Sequence, residues 1–175
     1  EILSLEEIDF VKKINPVYET IKMVSQNNIV KDKSIIGFVG APWTLLVYMI
    51  NQKSPKIKLD DDFFKDKNLI KDTLVVIEKF LKIHIKKQFD NGAEVIQIFD
   101  SWAGLLNNKD LPYYVFEPTL RLIDFTKSLK IPVICFPRGI KNYKEYCEII
   151  NPNAVSIDYE VDPTLIEKHI KIPIQ

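Results

Sequence analysis

Ile35-Ile36-Gly37-Phe38-Val39-Gly40-Ala41-Pro42-Trp43-Thr44-Leu45-Leu46-Val47-Tyr48-Met49 reads as a buried strand, a glycine-punctuated turn and the first turns of a helix. The run from Ser34 to Val39 is short and apolar, the pattern of a parallel strand covered on both faces. Gly40 lets the chain turn sharply where a β-carbon would collide. Pro42 fits a first helical position because its missing N–H costs nothing there. Strand, tight turn and helix in that order bring Phe38 and Tyr48 near the carboxyl end of a strand, where α/β folds keep their ligands. On this segment alone, a plain βα connection whose aromatics only pack remains the alternative.

The same alternation repeats on either side. Asn15-Pro16 is a cap-plus-first-position signal that predicts a helix through about Gln26, with Val17, Ile21 and Val24 on one face. A loop over Asn27 to Asp32 leads into the opening strand, and Asn51 to Asp62 is polar and lysine-rich, a surface loop. From Leu69 to Phe89, Ile70, Leu74, Ile77, Leu81 and Ile85 recur at helical spacing, with Lys71, Glu78, Lys82 and Lys86 facing outward. Asn91-Gly92 ends that helix, Gly92 being its left-handed cap. Val95 to Phe99 is a second strand, and Pro118 to Leu129 a helix with Leu122, Ile123 and Phe125 inward. Ile131 to Phe136 is a third strand and Lys141 to Ile150 a helix. Ala154 to Ile157 is a fourth strand, Pro163 to Ile170 a short helix, and Lys171 to Gln175 opens a fifth strand.

Apolar strands alternating with helices predict a parallel sheet. About five such βα units, with no dinucleotide glycine fingerprint, favour part of a (β/α)8 TIM barrel over a doubly wound sheet. Residues 1–175 then form a single incomplete barrel domain. The chain opens at Glu1 without methionine and stops in Ile172-Pro173-Ile174-Gln175, so the expectation is a piece of something longer.

Composition narrows the function classes. The 24 Lys plus Arg balance the 24 Asp plus Glu, so net charge gives no reason to expect nucleic acid or an anionic membrane as partner. No apolar run approaches the ~20 residues needed to span a bilayer, and no signal-peptide pattern is present. Cys135 and Cys147 form no C-x-x-C, and reduced thiols in a cytoplasmic protein are the expectation.

The residues that end each strand carry the chemistry: Phe38 to Pro42, Asp100 to Gly104, Pro137 to Gly139, and Asp158-Tyr159. Carboxylates, a serine, aromatics and one arginine on one barrel rim suit an organic, partly apolar ligand with polar edges. Asp100 offers an acid or base, although a strand-end Asp beside Ser more often caps the next helix. Ser101 has no nearby His to activate it and is left with hydrogen bonding. Arg138 at a strand end offers a carboxylate clamp, with a surface salt bridge as the commoner fate. His84 and His169 read as structural or solvated, and Cys135 as core. No His/Cys/Asp cluster has metal-ligand spacing, so no metal or cofactor is expected.

Gly37-Phe38-Val39-Gly40-Ala41-Pro42-Trp43-Thr44-Leu45 with Tyr48 and Met49 closely resembles the G-F-x-G-[AS]-P-W-T-L…Y-M block of the uroporphyrinogen decarboxylase family. Gly92-Ala93 and Phe99-Asp100-Ser101-Trp102-Ala103-Gly104 resemble that family's second block. Weaker matches lie at Phe136 to Gly139, at Ser156-Ile157-Asp158-Tyr159, where the family usually ends in Trp, and at Pro173-Ile174-Gln175. The resemblance runs from about Ser34 to Gln175. It implies a (β/α)8 barrel, usually a homodimer, acting in haem and tetrapyrrole synthesis. The implied reaction removes CO₂ from the four acetate arms of uroporphyrinogen III to give coproporphyrinogen III, without metal or prosthetic group.

By the same resemblance Tyr48 is the active-site tyrosine that contacts substrate and orients an essential aspartate. Ser101 hydrogen-bonds a substrate carboxylate, and Phe38 packs on the tetrapyrrole. The phenol of Tyr48 and the hydroxyl of Ser101 are expected to converge on a shared hollow at one rim of the sheet. The family's R-Q-A-G-R-Y loop, its pyrrole-binding aspartate and its C-terminal histidine have no counterpart here, so this chain alone is expected to be inactive. Two alternatives stay open: a cobalamin- or coenzyme M-linked methyltransferase of the same superfamily, and a non-catalytic barrel fragment. The methyltransferases hold zinc partly through a His-x-Cys pair, and the corresponding positions here, Phe136 and Arg138, cannot ligate it.

Overall fold

The computed structural model describes residues 4–52, 59 and 64–175. Four strands, β1 (Ile36–Gly40), β2 (Val95–Asp100), β3 (Val133–Pro137) and β4 (Ala154–Val155), form one parallel sheet in the order β1-β2-β3-β4. Sequential order without reversal is how a barrel winds; a doubly wound sheet has a switch point where the order turns back. The expected fifth strand is present as one parallel bridge, Val155 to Ile174, flanked by Val155 N–H donating to Pro173 O at 3.0 Å and Gln175 N–H to Val155 O at 2.9 Å.

The two faces of the sheet differ. Val39, Ile96, Ile98, Val133, Cys135 and Val155 are buried on one side against the helices. The opposite side carries Ile36 and Phe38 on β1, and Phe38 is 63% exposed. The expectation that the first strand is covered on both faces therefore fails. Its residues alternate between buried and exposed, because the helices of this arc cover only one side.

The helices are α1 (Glu7–Ser25), α2 (Pro42–Asn51), α3 (Lys67–Asp90), α4 (Glu117–Ser128), α5 (Tyr143–Ile150) and α6 (Pro163–Glu167). α1 starts well before Pro16, which lies inside it on the exposed side; Glu7 and Asp9 favour the earlier start by complementing the helix dipole. Its packing stripe is Phe10, Ile14, Tyr18 and Ile21, and the expected Val17 and Val24 are 45% and 40% exposed. Phe10 meets Phe80 of α3 at 4.8 Å, and Tyr18 Oη and His84 Nδ1 share a 3.0 Å hydrogen bond.

α3 begins where Asp66 accepts from Leu69 N–H at 2.9 Å, and its five expected apolar positions are all buried. Glu78, read as outward-facing, is buried too. Arg121 of α4 closes a two-pronged pair on it, Nε to Oε2 and Nη2 to Oε1, both at 2.8 Å. α3 packs against the sheet and against α4, so more than one stripe of it is covered. Gly92 ends the helix at φ +111°. A one-turn π-helix, Pro112–Phe116, runs into α4. Most of the 51–62 loop lies outside the described residues, although Leu59 within it is buried. Among the described residues no helix is long and apolar enough to cross a membrane.

Candidate functional site

α2 is set on the sheet by its first two turns. Ala41 N–H donates to Phe99 O at 2.8 Å, which fixes the β1–α2 turn against β2. Trp43 Nε1 donates to Trp102 O at 2.9 Å. The Thr44 hydroxyl donates to Asp100 Oδ1 at 2.7 Å and accepts from Trp102 N–H at 3.2 Å. One turn later the Tyr48 ring stands edge-on to the Trp102 ring, 6.0 Å between centroids. Trp43 and Thr44 are buried in this seam, while Tyr48 keeps 39% of its surface. The helix closes at Gln52 in the left-handed conformation, its N–H bonded to Tyr48 O.

Asp100 is 2% exposed. Burial pushes its carboxyl up from 3.8 to about 7, and the Thr44 and Trp102 hydrogen bonds only partly offset that. The capping role expected for it is not the one it plays. The short 3-10 turn Ala103–Leu105 has no side-chain cap, and the carboxylate reaches back to α2 instead. Even residues of β2 point toward the helices, and Asp100 shares that parity with Ile96 and Ile98.

The opposite face carries an aromatic band. Phe38 on β1 meets Phe99 on β2 at 6.0 Å, and Phe99 meets Phe136 on β3 at 6.1 Å, both edge-to-face. Phe38 and Tyr48 also line one hollow of about 370 Å³ beside edge strand β1, with Leu45, Met49, Phe10 and His84 among its other walls. Ser101 is half-buried in the turn after β2 and is not in that lining; its neighbour Trp102 is what touches Tyr48. The structure thus brings two of the three expected site residues together.

The turns after β2 and β3 abut. Arg138 N–H donates to Asp100 O at 3.1 Å and Gly104 N–H to Arg138 O at 3.0 Å. A β-carbon on Gly104 would stand 2.7 Å from the Gly139 carbonyl oxygen, so only glycine fits. Arg138 is exposed and has no ion pair among the described residues, contrary to the expected surface salt bridge. Asp158 is occupied structurally, accepting from Gly139 N–H at 2.9 Å and from the Tyr143 hydroxyl at 3.2 Å. Burial lowers the His84 pKa, consistent with a structural imidazole. Cys135 is core, as expected, and burial pushes its thiol up to about 12.

The family model described as "Uroporphyrinogen decarboxylase (URO-D)" matches residues 1–175. The chain belongs to the uroporphyrinogen decarboxylase family. Curated relatives named uroporphyrinogen decarboxylase include one from Wolbachia pipientis wMel, 38% identical over 100% of this chain and 52% of its own length. Another, from Rickettsia bellii (strain RML369-C), is 36% identical over 83% of this chain and 44% of its own. The chain spans about half the length of the curated relatives it matches. Among solved structures, the X-ray structure of the YdjI aldolase from Escherichia coli K12 overlaps 89% of this chain at 12% identity and a TM-score of 0.41.

For a uroporphyrinogen decarboxylase family member, sequence reading missed the Thr44–Asp100 clasp and the Trp102 contact. The signal was present: Thr44 and Tyr48 are four apart, hence on one helical face. Phe99 and Phe136 were readable only once the strand register was known.

Proposed function

We propose that the protein of which this chain forms part decarboxylates the four acetate side chains of uroporphyrinogen to methyl groups, giving coproporphyrinogen in tetrapyrrole synthesis. The reading rests on the family match, which runs without a break through both motif blocks. Protonation of a pyrrole carbon makes the ring an electron sink. The carboxylate C–C bond then breaks toward it, CO₂ leaves, and the exposed carbon is reprotonated.

In this reading Phe38 packs on the macrocycle, and the exposed edge of the Phe38–Phe99–Phe136 band suits its apolar faces. The Tyr48 phenol contacts substrate and orients the family's aspartate, and Ser101 hydrogen-bonds a carboxylate arm. The chemistry needs no metal or prosthetic group. The whole protein works as a cytoplasmic homodimer. The experiment is to express the full-length protein, supply uroporphyrinogen anaerobically and follow coproporphyrinogen by fluorescence after oxidation. Turnover with no added cofactor supports the assignment. A pure full-length protein that leaves the acetates intact removes it.

A further inference from the structure

We propose that Asp100 is a positioning residue: through the Thr44 hydroxyl it fixes the first turn of α2 and thereby sets where the Tyr48 phenol stands. This rests on the reading of Tyr48 as a residue that touches substrate.

Three side chains of α2 join it to the exit of β2, and all converge on residues 100–102. Trp43 holds the Trp102 carbonyl, Thr44 holds both Asp100 Oδ1 and Trp102 N–H, and Tyr48 leans on the Trp102 ring. Thr44 and Tyr48 are one turn apart, so a shift of the first is a shift of the second. Of these anchors Asp100 is the one that carries a carboxyl. Its Oδ1 accepts from Thr44 whether the carboxyl is neutral or ionised. Its Oδ2 is buried with no hydrogen-bond partner, and burial outweighs the Thr44 and Trp102 donors that would meet a charge on the carboxyl. Among the described residues, the other titratable groups that face Asp100 are Cys135 on β3 and Tyr146 on α5, both pushed up by burial and neutral near pH 7. The neutral acid is therefore the form that seats α2 well, and raising the pH through about 7 loosens the seat.

The test uses the full-length protein. Asp100→Ala should lower kcat roughly 10- to 100-fold with KM changed less than about 3-fold, and adding Tyr48→Phe to it should cost less than about 3-fold more. Asp100→Asn keeps the acceptor for Thr44 and should recover most of the lost kcat. Effects of Asp100→Ala and Tyr48→Phe that simply multiply overturn the proposal, as does a loss confined to KM. If Asp100→Ala does not fold, Thr44→Val takes its place, and unchanged kcat in that variant is equally fatal. A second readout does not depend on catalysis. Tryptophan emission should show a transition near pH 7 in the wild type that Asp100→Asn lacks, and identical titrations refute the proposal even if the full-length protein decarboxylates nothing. Absent turnover with the emission transition intact removes only the assigned reaction.

Discussion

Tyr48 and Asp100 meet the same helix seam from opposite ends, and each carries its own prediction. If Tyr48 hydrogen-bonds substrate, Tyr48→Phe in the full-length protein removes one such bond and keeps the ring on Trp102. Turnover should fall by ~1–3 kcal/mol, roughly 5- to 150-fold, with little change in melting temperature. Wild-type turnover in that variant takes Tyr48 off the site. Asp100 predicts a pH dependence of stability. Its folded value of about 7 lies above the ordinary 3.8, so the folded chain keeps a proton that the unfolded chain has released. That contribution is complete below about pH 4 and is lost as pH rises through about 7. Asp100→Asn has no such titration. Its stability relative to wild type should therefore climb between about pH 4 and about pH 7, by at most roughly 4 kcal/mol, in urea melts. A flat difference would mean the carboxyl is not held neutral.

At the scale of elements, the α3–α4 seam shows both what periodicity reveals and where it stops. Ile70, Leu74, Ile77, Leu81 and Ile85 were legible because a single apolar stripe at 3.6-residue spacing has one interpretation. Glu78 was not, because a buried carboxylate looks in sequence like any exposed one until Arg121 arrives from a different helix. α1 misled for a related reason. Asn15-Pro16 is a good local start signal, yet Phe10, Ile14, Tyr18 and Ile21 bury against α3 and carry the helix through the proline, whose lost N–H falls on the exposed side. The Glu78 pair predicts an asymmetry. Arg121→Met strands a carboxylate that is 5% exposed and should cost about 2–3 kcal/mol, less than for a sealed pair because Arg121 itself is 45% exposed. Removing both partners with Glu78→Leu and Arg121→Leu should recover most of that loss. If the double variant is no more stable than Arg121→Met, the pair is not what holds the seam.

For the molecule as a whole, the alternation of strand and helix made the parallel arc readable, while the state of its open face was not. Phe38 sits in a run of apolar residues that reads as buried on both sides, but with Gly37 and Val39 turned to the helices it faces outward, 63% exposed. β1 is also an edge, and its Phe38 N–H and C=O are met by the Gln88 amide at 3.1 and 3.0 Å across the space Gly37 leaves open. The chain spans about half the length of the relatives it matches, and the R-Q-A-G-R-Y string of the resemblance does not occur in residues 1–175. Residues 1–175 by themselves should therefore form no coproporphyrinogen and should self-associate through the open face and the free strand edges. Sedimentation velocity and the fluorescence assay check both parts on one sample. Replacing Phe38 by Ser should shift the sedimentation profile toward monomer without restoring turnover, because the missing chemistry is not at that residue. A monomeric wild-type fragment that produced coproporphyrinogen would show instead that the rim formed by α2 and the turns after β2 and β3 is catalytically sufficient.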